Sequence, residues 1–329
     1  MEKKHTPPQV GQPERVTQFL MKNRIAMKAK PFVKWVGGKG QLIEQLEALL
    51  PADFDRWENV TYIEPFVGGG AMLFYMLQSH PNITSAVIND INEDLTTCYK
   101  VVRDNPDRLI SSLKQIQKEY YSLQSDDSRK EYYLRMRDVY NTKALDPIRN
   151  TSLFFFLNRT CFNGLYRVNK SGFFNVPFGK YETPTICDPN TIYADSELLQ
   201  NVEICTGDYQ QTLSKAKGTT LFYFDPPYRP LSNTSSFNDY TKDTFNDIAQ
   251  ARLKEFCDRI MQAGHTFMLS NSDCFNTPLR DRFFEDLYLG YIIDRVWASR
   301  NVNANPAKRG KLQEILVHNY PRTKRMLAV

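Results

Sequence analysis

Asp225-Pro226-Pro227-Tyr228 follows directly on the apolar run Leu221-Phe222-Tyr223-Phe224. That order sets a carboxylate, a proline-fixed backbone carbonyl and an aromatic ring at the carboxyl end of a buried strand, the edge where open α/β sheets hold ligands. A flat heterocycle with an exocyclic amine suits this group. Its ring stacks on Tyr228, and its amine donates one hydrogen to Asp225 and one to the Pro226 carbonyl. Adenine is the foremost candidate. Its amine is a poor nucleophile because the nitrogen lone pair is delocalised into the ring. Acceptors on both hydrogens favour a pyramidal nitrogen and gather electron density toward an electrophile on the open face. The nitrogen turns acidic only after it has gained a substituent, so Asp225 need not be a strong base beforehand. The bland alternative is a strand-end turn with a capping aspartate.

A second constellation lies upstream. Phe66-Val67-Gly68-Gly69-Gly70 follows the short apolar run 60–63 and opens a helical pattern near Ala71. Glycines at such a turn let the backbone approach a ligand closely. The spacing is not the six-residue dinucleotide fingerprint, and no Lys-Ser or Lys-Thr pair marks a phosphate loop. Asp90 ends the next strand, 20 residues beyond Gly70, where a carboxylate can accept both ribose hydroxyls. Each signal alone is weak, because a strand-end aspartate is often only a helix cap. Together, in this order, they point to a ribose-bearing cofactor without a pyrophosphate.

These residues need elements to hold them. Apolar periodicity predicts a helix over 39–50, a strand at 60–63, a helix from 71, a strand at 86–88 and a helix over 95–102. This is the opening unit of a doubly wound sheet. From 103 to about 200 the rhythm breaks into helices near 105–124, 127–140 and 147–157, then an irregular stretch, 159–184, rich in Asn, Gly and aromatics. Strands resume at 202–205, 221–224 and 266–270, with a helix over 248–262 between the last two. A closing pair at 291–298 and 314–320 flanks the basic, Asn-rich segment 300–311. A short helix over 14–28 and a polar loop over 229–247 complete the reading. The simplest architecture is an α/β domain (31–102 and 201–329) interrupted by an inserted domain (103–200), behind a basic, flexible extension (1–30).

With 329 residues, the chain has a formal net charge of +5. That charge sits at the ends: residues 1–30 carry +5 and residues 300–329 carry +6, which leaves −6 for the body. Basic ends on an acidic body suit a polyanion partner, and equally two solvated tails. The six cysteines and four histidines are scattered without ligand spacing, so no metal site is expected and the thiols read as reduced structural residues. No apolar run is long enough for a membrane span, and the polar start lacks a secretory signal. A cytoplasmic protein is the expectation.

Four segments carry a family resemblance: Phe32-Val33-Lys34-Trp35-Val36-Gly37-Gly38-Lys39; Glu64-Pro65-Phe66-Val67-Gly68-Gly69-Gly70-Ala71; Asn163-Gly164-Leu165-Tyr166-Arg167 with Phe174-Asn175-Val176-Pro177-Phe178-Gly179; and Asp225-Pro226-Pro227-Tyr228. In this order, from about 31 to 320, the chain resembles the Dam-type DNA adenine N6-methyltransferases, and most closely the members that methylate adenine in GATC. The resemblance implies a Rossmann-like methyltransferase sheet, mixed by an antiparallel terminal strand, with an inserted helical and hairpin target-recognition domain. It implies S-adenosylmethionine (SAM) as cofactor and double-stranded DNA as partner, with the base flipped out for reaction. A cognate restriction endonuclease acting on the same site is a compatible companion, and no obligatory protein partner is implied.

Residue by residue, the resemblance assigns Trp35 and Lys39 to the methionine end of the SAM pocket. Phe66, Gly68 and Gly70 match the cofactor turn, Asp90 the ribose carboxylate, and Asp208 the acid that holds the cofactor's adenine amine. Asp225, Pro226, Pro227 and Tyr228 receive the target base, with Asp225 also bordering the cofactor. Asn163, Leu165, Arg167 and Pro177 match a DNA-reading hairpin, Phe162 the aromatic that enters the duplex, and Lys34 a contact to the outer guanine. Phe173 stands where some relatives carry glutamate. A guanidinium meets guanine O6 and N7 bidentately, which makes Arg167 the best base reader. Lys170 and Lys180 read as phosphate contacts or as plain exposed lysines. Lys308, Arg309 and Lys311 either hold the DNA backbone or form an ordinary basic loop. Phe174 and Phe178 are expected in the core. Two other classes stay open here: an RNA adenine methyltransferase, which should lack the two-part hairpin, and an inactive DNA-binding protein, which should have lost one of the chemical residues.

Overall fold

The computed structural model describes residues 28–230, 245–275, 280–299 and 311–321. The expected helix over 14–28 and the bulk of the loop 229–247 therefore lie outside the described residues, as do Lys308 and Arg309.

A short turn at Lys39–Gln41 leads into helix α1 (Ile43–Ala48) and strand β1 (Val60–Glu64). Helix α2 (Ala71–Ser79), strand β2 (Ile83–Asp90) and helix α3 (Glu93–Asp104) follow. Four helices then run before the next strand: α4 (Pro106–Tyr121), α5 (Asp126–Asn141), α6 (Pro147–Thr160) and α7 (Pro189–Leu198). The chain returns through β3 (Val202–Thr206), β4 (Thr220–Phe224), α8 (Asp247–Gln262), β5 (Thr266–Ser272), α9 (Phe283–Leu287), β6 (Ile292–Ser299) and β7 (Lys311–His318).

The seven strands form one sheet in the order β3-β2-β1-β4-β5-β7-β6. The first five are parallel, and β7, last in the chain, runs antiparallel between β5 and the edge strand β6. All five residues of β1 and of β4 are buried, as continuous apolar strands covered on both faces must be. Their side chains alternate between two cores. Tyr62, Leu221 and Tyr223 join the larger core beneath α2–α7, whereas Ile63, Phe222 and Phe224 join the core beneath α8 and α9.

Local signals set the helix starts. Asn92 caps α3 through the Leu95 N–H, Asp146 caps α6 ahead of Pro147, and Asn246 caps α8. Ala29 and Lys30, assigned above to the flexible extension, are tied down. The Gln78 side chain brackets the Ala29 backbone at 2.8 and 3.0 Å, and the Lys30 N–H donates to Asp195 Oδ1 at 3.0 Å. Among the described residues, no helix is long and apolar enough to cross a membrane, and no cluster of three or more His, Cys, Asp or Glu could hold a metal ion.

Candidate active site

Parallel strands place their carboxyl ends on one edge, and here β2, β1 and β4 lie side by side. Asp90 ends β2, Glu64 ends β1 and Asp225 follows β4. The three acids therefore line a single rim.

Asp225 receives Lys39. The ammonium stands 2.9 Å from Asp225 Oδ1, 3.9 Å from Glu314 Oε2 on β7 and 4.5 Å from the centre of the Tyr228 ring. It also donates to the Gly37 carbonyl at 3.0 Å. With only 6% of its side chain exposed, Lys39 is held by ion pairing and ring contact rather than by water. The Tyr228 hydroxyl donates to Glu314 Oε2 at 2.7 Å, which fixes the ring beside Asp225. Burial raises the Asp225 carboxyl to about 6, against the lowering effect of Lys39. Glu64 is buried and accepts the Tyr62 hydroxyl at 2.6 Å. Burial, with a smaller push from Asp225, raises it to about 8. The residue after Tyr228 locks the motif to β5. The Arg229 N–H donates to Asn271 Oδ1 at 3.2 Å, and the Arg229 carbonyl accepts the Ser272 hydroxyl at 2.7 Å. The Arg229 guanidinium pairs with Asp247 at 2.7 Å and Asp281 at 2.5 Å.

On the other side of the rim, Asp90 organises the glycine turn. Its carboxylate accepts the Gly68 N–H at 3.1 Å and the Asn92 N–H at 2.9 Å. These bonds hold its pKa down, but burial outweighs them and leaves it raised. Trp35 lies across the turn: a Cβ on Gly68 would stand 2.9 Å from Trp35 Cδ1, and one on Gly69 3.0 Å from Trp35 Cβ. The indole stacks in turn on Tyr166 at 5.4 Å, so the glycine turn and the irregular stretch 159–184 share one aromatic contact. Phe66 packs on Tyr209 at 5.0 Å. Asp208 caps the turn 209–215 through the Gln210 N–H and pairs with Arg252 at 2.9 Å. It lies next to Gly207, whose N–H donates to the Asp90 carbonyl at 3.0 Å.

The irregular stretch is a small hairpin. Phe162–Gly164 form a tight turn, with Asn163 at φ 55°, and the Phe162 N–H donates to the Pro177 carbonyl at 2.8 Å. Isolated bridges join Cys161 to Phe178 and Val168 to Phe174. Phe162 is 53% exposed, and Asn163, Arg167, Lys170, Phe173 and Pro177 are exposed as well. Leu165 is half-buried against the core, and its carbonyl accepts the Cys161 thiol. The Arg167 guanidinium is aimed by Asn175, with Nε donating to its Oδ1 at 2.8 Å and an Nη to its carbonyl at 3.1 Å. Asn158 ties the hairpin to the segment around Lys34: it bonds both backbone groups of Lys34, at 2.8 and 2.9 Å, and the Gly164 carbonyl at 3.0 Å. Phe174 is buried as expected, whereas Phe178 is only half-buried, packed on Tyr133 at 5.5 Å.

The sequence matches the family model of the D12 class N6 adenine-specific DNA methyltransferases over residues 35–302. The chain belongs to this class. It is 45% identical to the type II methyltransferase M.MjaIII of Methanocaldococcus jannaschii over 297 residues, 89% of this chain and 100% of that protein. It is 38% identical to the type II methyltransferase M1.LlaDCHI of Lactococcus lactis subsp. cremoris over 307 residues, 92% and 99% of the two chains. A DNA adenine methylase of Salmonella typhi is 30% identical over 294 residues, 89% and 96% of the two chains. The protein is thus an adenine-specific DNA methyltransferase that uses SAM.

The rim of this D12 class enzyme fits that cofactor. Ile91, immediately after Asp90, is 83% exposed, an apolar side chain left in water beside a carboxylate suited to a ribose. An adenine ring over Ile91 would cover it. Three residues of the site were not singled out from sequence. Ile91 had a signal, an isoleucine inside the polar turn Asn89-Asp90-Ile91-Asn92. Glu64 had one too, an acid closing an apolar strand. Glu314 had none, since nothing in its own strand relates it to Lys39 or Tyr228.

Proposed function

We propose that the enzyme methylates N6 of adenine in double-stranded DNA within GATC, on a base flipped into the Asp225–Tyr228 pocket. The observation that carries the reading is the convergence of Asp225, Lys39, Tyr228 and Glu314 beside the Asp90 glycine turn. SAM, when bound, supplies an electrophilic methyl group on a sulfonium. The chain's part is alignment and electrostatics. Asp90 and Ile91 hold the nucleoside end, with Asp208 toward its amine, while Trp35 and Phe66 wall the turn. Asp225 and the Pro226 carbonyl accept the two amine hydrogens, Pro227 stiffens the backbone that aims them, and the Tyr228 ring stacks on the base. As the nitrogen lone pair took the methyl carbon, the pair of the broken carbon–sulfur bond would stay on sulfur, and the excess proton on nitrogen would pass to Asp225.

A stacked base cannot reach this rim, so extrusion is part of the reading, as for DNA methyltransferases in general. Phe162, exposed on a turn pinned to Pro177, is suited to fill the gap left in the duplex. We propose residues 103–200 as the target-recognition domain, read against 31–102 and 201–329 as the catalytic domain. The GATC assignment rests on the match of Lys34, Leu165, Arg167 and Pro177 to readers of that site, with Asn163 in the turn between them. Lys170, with Lys308 and Arg309, is assigned to the DNA backbone. Methylation of GATC on the chromosome, in the cytoplasm, would shield the DNA from an endonuclease that cuts there.

Single-molecule sequencing of DNA from cells expressing the protein tests the target. Methyl groups centred on another motif would overturn GATC and spare the chemistry. Arg167→Ala should cost about 1–3 kcal/mol and relax discrimination at one guanine. Lys170→Ala should weaken all sequences alike and lower the salt slope by about one. Should the motif differ, Phe173 is the first residue to examine, because an exposed ring stands where a carboxylate would repel wrong contacts.

The pH dependence follows from Asp225, which must be ionised to accept the amine hydrogen without offering a competing proton. Its carboxyl lies at about 6, so the single-turnover rate should fall as pH drops through that value, and not through about 4 as for an ordinary aspartate. Lys39 holds this pKa down, so Lys39→Met should move the fall to higher pH. A rate that is flat from neutrality down to about pH 4.5 would exclude ionised Asp225 as the acceptor.

A further inference from the structure

Lys39 is an ammonium set between two carboxylates, and one of them is the group read above as the acceptor for the target amine. In the structure it is bonded to Asp225 Oδ1 at 2.9 Å and stands 3.9 Å from Glu314 Oε2. While it stays on Asp225, it holds one of the two carboxylate oxygens and draws on the charge that the amine would use, and it sets a positive charge beside a nitrogen that is about to become positive. Lys39 cannot simply leave, because a buried ammonium stripped of its carboxylate is strongly disfavoured. Glu314 answers this. It projects from β7 at the register position opposite Ser272, is 14% exposed, and already holds the Tyr228 hydroxyl at 2.7 Å. A shift of roughly 1 Å would bring the Lys39 nitrogen from 3.9 Å to hydrogen-bond distance of Glu314. The Tyr228 ring, 4.5 Å below the ammonium, stays beneath it over so short a movement.

We propose that Glu314 is a positioning residue that takes over the Lys39 ammonium when the target base enters, and so frees Asp225 for the amine. Asp225 is then bared only when an adenine is present to use it, and the Lys39 charge stays paired throughout. The inference rests on the reading of Asp225 as amine acceptor. It assigns Glu314 no contact with the reacting atoms.

The test compares two substitutions that a bracing role and a charge-receiving role rank oppositely. Glu314→Gln keeps an oxygen for the Tyr228 hydroxyl and removes the charge. Single-turnover methylation should fall by roughly ten- to a hundredfold, with affinities for the demethylated cofactor and for duplex DNA within about threefold of wild type. Tyr228→Phe removes only the hydroxyl end of the same contact and should slow the reaction by less than about fivefold. Were Glu314 only a brace for the ring, Glu314→Gln would be near wild type and Tyr228→Phe as slow as Glu314→Ala. That ranking would overturn the proposal.

A second readout does not depend on rate. In crystals of the wild-type enzyme with the demethylated cofactor and a duplex whose adenine occupies the pocket, Lys39 Nζ should be hydrogen-bonded to Glu314 and displaced from Asp225. Lys39 still on Asp225 Oδ1, with the amine bound beside it, would refute the transfer. An amine bound away from Asp225 would refute the acceptor reading instead.

Discussion

Asp225→Ala is expected to slow single-turnover methylation by about a hundredfold or more while duplex affinity stays within about tenfold. The asymmetry follows from when its hydrogen bonds matter. Before transfer the amine is neutral and its bond to the Asp225 carboxylate carries charge on the acceptor alone. As the methyl arrives the nitrogen becomes positive, and the bond then joins two opposite charges and strengthens. The substitution also strands Lys39, whose remaining carboxylate stands 3.9 Å away. The Tyr228 substitutions separate ring from hydroxyl: Tyr228→Phe keeps the face that stacks on the base and sits 4.5 Å under Lys39, whereas Tyr228→Ala loses both and should be far slower. Quench-flow on a short GATC duplex gives these rates directly. A near-native rate for Asp225→Ala would remove Asp225 from the chemistry.

The chemistry was legible where function and local structure use the same residues. An apolar run of strand length before Asp225 gave both β4 and its carboxyl edge, and the glycine turn followed by Asp90 gave the order strand, turn, helix, strand. Both signals lie within a few residues of the groups they position. The closing pair of strands also emerged, because its two runs are of strand length, but its antiparallel direction came only from the family resemblance, and its place in the sheet did not emerge. That β7 is inserted beside β5 depends on contacts across 40 or more residues of sequence, and no local pattern carries such information.

Helix α7 shows the opposite case. Pro189–Leu198 has no apolar stripe, because Thr191, Asp195 and Ser196 are among its buried residues. Asp195 is buried to receive the Lys30 N–H, and burial raises its carboxyl to about 8. Periodicity was therefore silent where a polar contact replaced an apolar one. The cap was not silent: Asp188 accepts the Thr191 N–H ahead of Pro189, a start signal that reads without hydrophobicity. Glu314 was hidden for a different reason. Its partners come from residues 39 and 228, so its role exists only once three separate segments are packed together.

Gly70→Ala is expected to weaken SAM binding by about a hundredfold or more and to lower the melting temperature by roughly 5–10 °C. Gly70 precedes α2 in the left-handed region, at φ 75° and ψ 23°, where a β-carbon costs about 1–2 kcal/mol by itself. The new carbon would also stand 2.4 Å from the Tyr99 hydroxyl oxygen and 3.2 Å from Phe74 Cε2. Tyr99 has little room to withdraw, since it is fully buried and its ring meets Phe32 at 4.8 Å. Moving it breaks its hydrogen bond to the Gly68 carbonyl, 3.0 Å long. The Gly68 N–H is in turn the donor to Asp90, so the displacement passes straight from the turn to the carboxylate proposed to hold the ribose. Strain and collision can be told apart with Tyr99→Phe. That change removes the oxygen and leaves Phe74 Cε2 at 3.2 Å and the Tyr99 ring carbon at 3.4 Å as the nearest neighbours. The double variant should therefore recover part of the lost SAM affinity, while the backbone strain keeps its melting temperature below wild type. Calorimetry decides the matter: unchanged SAM affinity in Gly70→Ala would take the cofactor away from this turn, and an equal loss in the double variant would assign the damage to φ and the lost Gly68 bond rather than to the collision.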